Sequence, residues 1–228
     1  MSRLSRVAKT SIGKKLFMAA TGLAMFGFVI GHLLGNLKMF FGAEEINAYS
    51  ELLHQHPFLI WTARLGLLAF LGIHVVTGVI LKLRNHAARP VGYRRERTLR
   101  ATLASRYMLT TGILLFGFLI YHLLHFTFHA VNSEPSGVFD RAGRHDVYFR
   151  VFQSFKNPLI AAGYVAAMLM LGQHLWHGAT SLLQTAGLHH SAYNGPVRGG
   201  IKALVVLVVL AFIAIPVSIF FGLLPSAG

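Results

Sequence analysis

The chain has 228 residues, 54% of them hydrophobic and 12% charged, with 21 Lys plus Arg against 7 Asp plus Glu and no cysteine. Without cysteine it cannot ligate an iron–sulfur cluster through thiolates, form a disulfide or attach haem covalently through C-x-x-C-H. Its positive charge is sorted by loop rather than gathered on one face, which argues for membrane topology and against nucleic acid as the partner.

Apolar runs of about 20 or more residues are long enough to cross a hydrocarbon core, and they lie near 16–41, 58–81, 107–131, 158–183 and 201–224. The expectation is an all-α integral membrane protein, one domain over 1–228, with five transmembrane helices. The N-terminus lacks a short apolar core followed by a small-residue cleavage site, so the first span is expected to stay. Arg3, Arg6, Lys9, Lys14 and Lys15 precede that span, eight Lys or Arg lie from Lys82 to Arg106, and Arg198 and Lys202 precede the last span. By the positive-inside rule these are the cytoplasmic sides. The prediction is a multi-pass protein of the cytoplasmic (inner) membrane, N-terminus inside and C-terminus outside.

In chain order, Ser2–Lys15 reads as a basic interfacial helix with Leu4, Val7 and Ile12 on its apolar side. The first span carries GLAMFGFVIGHLLGN, where Gly27, Gly31 and Gly35 permit close approach of a neighbour and His32 is the one ionisable residue before Lys38. The outer loop GAEEINAYSELLHQHP has helical spacing and ends in Pro57, which suits the first turn of the second span. That span contains Arg64, then His74 with Gly78 four residues on. The basic stretch from Lys82 to Arg106 is either a lipid-binding surface or a dock for a soluble partner.

The third span offers His122, His125 and His129 on one stripe. The loop from Val131 to Lys156, with Pro135 and Gly137, reads as irregular. The fourth span holds MLMLGQHLWHGATSLLQTAGL, with His174, His177 and Gly178, and Gly187 as a helix stop. The fifth has no histidine, includes Pro216 as an expected kink, and reads as a packing helix.

Ionisable side chains inside a span mark a pathway, a ligand or a partner, and here they recur at one depth. Lys15 to His32, Pro57 to His74, Ser105 to His122 and Asn157 to His174 are each 17 positions apart. At about 1.5 Å per residue each histidine lies roughly 25 Å from its entry. Spans one and three enter from inside, so His32 and His122 meet near the outer face; spans two and four enter from outside, so His74 and His174 meet near the inner face. In an up-down bundle of the first four spans each pair faces across the axis. Two such imidazoles can fill both axial positions of one haem iron, which favours electron transfer. Two stacked haems b are therefore expected, and a zinc or copper site is not, because pairs at separate levels do not converge on one ion. Arg64 then either snorkels to the headgroups or pairs with a haem propionate.

GFVIGHLLGN, LGIHVVTGV, TTGILLFGFLIYH and HLWHGATSLLQTAGL, in this order and spacing, resemble the five-helix di-haem cytochrome b subunit of succinate:quinone oxidoreductases, including related fumarate reductases. The resemblance covers nearly the whole chain. It implies that His32 and His122 hold the distal haem and His74 and His174 the proximal one, with His125, His129 and His177 in supporting roles. It also implies flavoprotein and iron–sulfur subunits on the cytoplasmic side, a quinone (menaquinone) reduced near the distal haem, and room for a higher oligomer of the complex. The quinone-linked acid of relatives falls in SELLHQHP, where His54 stands nearest, one turn after Glu51. Some fumarate-reducing relatives carry a glutamate two residues before the fourth ligand; Gly172 stands here, which favours succinate oxidation. Two other readings use the same histidines differently: a cytochrome b subunit of a hydrogenase or formate dehydrogenase, and a haem-free transporter or anchor.

Overall fold

The computed structural model describes residues 10–88, 106–132, 138–185, 187 and 194–225. The helices named here are α1 (Ser11–Asn36), α2 (Ala43–His54), α3 (Pro57–Ala87), α4 (Met108–Phe126), α5 (Val147–Lys156), α6 (Pro158–Thr185) and α7 (Asn194–Phe220). A 3-10 turn, Leu37–Phe41, joins α1 to α2. Among the described residues five helices are long and apolar enough to cross a membrane, the pattern of a multi-pass membrane protein. They are α1 with its 3-10 turn, α3, α4, α6 and α7. Most of the expected interfacial segment and of the basic loop, including Arg94, Arg95 and Arg97, lies outside the described residues, as do Pro135 and Gly137.

Local chemistry sets the helix ends. The Thr10 hydroxyl accepts from Gly13 N at 2.9 Å to start α1, whose first turns absorb Ile12, Lys14 and Lys15. Pro57 opens α3 where its missing N–H costs nothing. Asn157 Oδ1 accepts from Leu159 N at 2.9 Å to start α6, which stops just before Gly187, at φ 71°. Helix α4 ends at Phe126, short of the expected 131: Phe128 N bonds Leu123 O, Ala130 N bonds Leu124 O, and His129 takes a left-handed φ of 52°. Helix α7 runs through Pro216 to Phe220.

One expectation is corrected. The irregular loop before Lys156 contains α5, capped by Asp146 accepting from Phe149 N at 2.9 Å. Its apolar residues Tyr148, Val151, Phe152 and Phe155 follow helical spacing and are all buried.

The spans pack unevenly. Helix α1 lies against α3 and α6, α4 lies against α6, and α7 covers α6. Contact between α3 and α4 is slight. The densest core sits at one end, where Met39, Ile46, Phe152, Tyr164 and Ile219 bring together the 3-10 turn, α2, α5, α6 and α7. At this capped end the 3-10 turn and α2 close the bundle, while the opposite end carries residue 10, the last turn of α3 and the first turn of α4. Elsewhere the helices present large apolar side chains outward, among them Leu68, Ile113 and Leu210. That surface is suited to a lipid bilayer.

Candidate functional site

Helix α3 brings His74 to face His174 of α6, with ring centroids 6.3 Å apart and planes at 58°. Each ring is anchored through Nδ1 by a threonine on a neighbouring helix. Thr21 of α1 places its Oγ1 3.3 Å from His74 Nδ1, and Thr111 of α4 places its own 3.2 Å from His174 Nδ1. Thr21 donates to Phe17 O at 2.7 Å and Thr111 to Tyr107 O at 3.0 Å, so both hydroxyl oxygens are left to accept. Met18 O, 3.1 Å from His74 Nδ1, is a second acceptor there. The network therefore assigns the proton to Nδ1 in both rings and leaves Nε2 with its lone pair. Gly22 and Gly112, each beside its threonine, lie against the same rings: a Cβ on Gly22 would come 3.2 Å from His74 Cε1, and one on Gly112 3.6 Å from His174 Cε1.

The second pair, His32 of α1 and His122 of α4, has ring centroids 5.8 Å apart with planes at 85°. Phe28 stacks on His32 at 5.5 Å, and the Asn36 amide lies 3.4 Å from its Nε2. Thr21 and His32 are 11 residues apart on α1, as are Thr111 and His122 on α4. At about 1.5 Å per residue the two pairs are thus roughly 16 Å apart along the helices.

A hydrogen-bonded chain runs from this pair toward the capped end. Ser154 Oγ donates to Arg150 O at 2.8 Å, so it accepts from His125 Nε2 at 3.0 Å. His125 Nδ1 then accepts from the Tyr164 hydroxyl at 2.9 Å, and Tyr164 oxygen can accept from His122 Nδ1 at 3.4 Å. Both nitrogens of His125 are therefore occupied, and its ring is wholly buried. Among the described residues nothing bonds Nε2 of His122. Between the two candidates three residues apart, the geometry offers only His122 a lone pair for a ligand.

The remaining predicted residues are placed as follows. Arg64 is exposed, with its guanidinium 5.2 Å from the Trp61 ring centre. His54 is exposed at the end of α2, its Nδ1 2.7 Å from Ser50 O. It adjoins an apolar hollow lined by Gln55, His56, Pro57, Phe58 and Leu59. Gly178 faces open space, Gly78 faces Met18 Sδ at 3.9 Å, and Gly35 takes the Tyr49 ring of α2 against its backbone.

The donor set fits axial haem ligation. With metal–imidazole bonds of about 2.0 Å and ring nitrogens roughly 1.2 Å from the ring centre, two imidazoles on opposite sides of one ion would have centroids roughly 6.4 Å apart. Among the described residues no three His, Cys, Asp or Glu side chains gather as a bare-ion site needs. A cation is also buried here: Arg150 on α5 is 7% exposed, and among the described residues its Nε has no hydrogen-bond partner. A buried guanidinium calls for a carboxylate, and haem carries two. Arg64 has no such need.

No family model, curated protein or solved structure matches this chain. The chain does match itself. TGLAMFGFVIGH from Thr21 and TGILLFGFLIYH from Thr111 agree at seven of twelve positions, and Leu-Gly-x-His-x-x-x-Gly recurs from Leu71 and from Leu171. The histidine spacing alone missed Thr21 and Thr111, and this repeat is the signal that reveals them. Arg150 and Ser154 were hidden with α5.

Proposed function

We propose that this chain is the membrane-anchoring di-haem cytochrome b subunit of a succinate:quinone oxidoreductase, passing electrons from an iron–sulfur subunit to a quinone. The observation that carries the reading is the pairing of His74 with His174 and of His32 with His122 across alternate helices at two levels. The neighbour pattern, α1 on α3 and α6 with α4 on α6, agrees with a four-span bundle around that axis. A b haem held by these histidines would supply reversible one-electron transfer, and with both imidazoles of a pair committed to the iron it would not take up oxygen.

In this reading His74 and His174 hold the inner haem, His32 and His122 the outer one. Arg150, buried at the capped end, would supply the counter-charge to a haem carboxylate. The basic residues around Lys82, Arg84 and Arg106 face the cytoplasm, where the flavoprotein and iron–sulfur subunits dock. This chain offers no cysteine for clusters, so the partners carry them. Quinone reacts at the outer end, in the apolar hollow beside His54, whose imidazole exchanges protons with it.

Pyridine haemochrome analysis of the purified chain tests the reading. Two b haems per chain are expected, with His74→Ala or His174→Ala removing one and His32→Ala or His122→Ala the other. A haem-free wild-type chain overturns it. Co-purification with a flavin subunit supports the succinate assignment, whereas a nickel or molybdenum subunit transfers the chain to hydrogenases or formate dehydrogenases.

A further inference from the structure

Resting on the di-haem reading, we infer that Thr21 and Thr111 are positioning residues that fix the tautomer and raise the basicity of the inner histidines, and so set the inner iron's potential apart from the outer one's.

Three observations converge. Both threonines are buried, at 5% and 4% exposure, and each hydroxyl donates to the preceding turn, which leaves its oxygen to accept from the histidine. Mid-helix threonine usually satisfies itself on its own backbone. Here the remaining lone pairs are aimed at Nδ1 of a ring on another helix, twice, at 3.3 and 3.2 Å. The two threonines also occupy the same position of the internal repeat, each followed by the glycine that lets the ring lie against the helix. One half of the chain thus reproduces the arrangement of the other.

The outer pair is held differently. His122 Nδ1 has a Tyr164 hydroxyl at 3.4 Å, a long contact shared with His125, and among the described residues His32 has no acceptor on Nδ1, the Asn36 amide lying 3.4 Å from its Nε2 instead. An acceptor on Nδ1–H pushes electron density onto Nε2 and makes the imidazole a stronger ligand. That favours the ferric state, so the inner centre is expected at a lower potential than it would have without the hydroxyls. The inner pair also differs within itself. His74 has Met18 O as a second acceptor, whereas among the described residues Thr111 alone accepts from His174 Nδ1.

Redox titration of the intact complex, followed optically, distinguishes the outcomes, with His174→Ala identifying the inner component by its loss. Thr111→Val should raise the inner midpoint potential while the outer one stays in place. Thr21→Val should raise it by less, because the Met18 carbonyl remains. Thr111→Ser keeps the hydroxyl and should restore the wild-type value. Loss of the inner haem in Thr111→Val with retention in Thr111→Ser supports the same role through haem content. An unmoved inner potential in Thr111→Val, or loss of the inner haem in Thr111→Ser as well, overturns it. Absence of haem from the wild-type complex would instead refute the di-haem reading, so the two failures are separable.

Discussion

The hydroxyl of Tyr164 stands 2.9 Å from Nδ1 of His125, and this contact takes His125 out of the set of candidate ligands. With Ser154 on the other nitrogen, the imidazole is a structural bridge from α4 to α5 and α6. Its apolar neighbours reinforce that role: the Phe126 ring stacks on it at 4.0 Å.

On the proposed di-haem reading His125→Leu is therefore expected to leave the haem count unchanged and to lower thermal stability. Two buried hydroxyls lose a partner, each at a cost of about 1–3 kcal/mol unless water reaches it. Haemochrome counting and a thermal melt check this together. The outcome that contradicts it is selective loss of the outer haem from His125→Leu with retention in His122→Leu.

The capped end depends on Asn47, which is 1% exposed on α2. Its amide donates to Asp146 Oδ1 at 3.0 Å and to Asp140 Oδ2 at 3.3 Å, while its oxygen accepts from Tyr148 N at 3.1 Å. Asn47→Leu leaves two carboxylates short of a donor and a buried N–H with none. The expected loss is about 2–4 kcal/mol, from several unsatisfied groups at once. Hydrogen exchange should show α2 and α5 losing protection before the α6–α7 seam. Uniform loss across all spans would argue against a separable cap.

Acid should weaken the same end through Glu44. The Arg144 guanidinium, bonded to it at 2.6 and 2.9 Å, holds its carboxyl below the usual 4.5. A carboxyl with a depressed folded pKa contributes stability above its ordinary pKa and loses it as pH falls through the folded value. The window is thus below about 4.5. Because Glu44 is fully exposed, the effect should be small and reduced by salt. A melt series in pH should show a slightly shallower acid limb for Glu44→Gln; identical limbs at low salt would remove the pair from the account.

The spans were legible because their signal is long: windows of apolar residues, Pro57 at a start and Gly187 past an end are each sufficient locally. Pairing of the histidines was legible from depth, since equal spacing from the membrane edge fixes level without knowledge of rotation. Helix α5 was not, although Tyr148, Val151, Phe152 and Phe155 stand at helical spacing. Ten residues among charged and turn-forming neighbours are too few to dominate a membrane-length window. Choosing His122 over His125 needed the direction of each hydrogen bond, and that depends on Ser154 and Tyr164 from elements far along the chain. Arg64 and Arg150 show the same limit. Both are arginines near a span end, and the exposure of one and the burial of the other follow from packing.

The last prediction concerns the quinone. His54 closes α2, and the apolar hollow that follows it, from Gln55 to Leu59, opens at the junction with α3. Quinone reduction needs protons where electrons arrive, and in the proposed topology that is the outer end, next to His32 and His122. The exposed His54 ring has Nδ1 engaged with Ser50 O, which leaves Nε2 to exchange a proton with bulk water. The exposed Phe58 and Leu59 form an apolar wall there, which would suit the isoprenoid tail of the proposed quinone. His54→Leu should therefore abolish succinate oxidation linked to quinone, while dye reduction by the soluble subunits and both haem spectra persist. His56→Leu, on the same hollow, should have the weaker effect. Full quinone turnover in His54→Leu would move the proton donor elsewhere on the capped end.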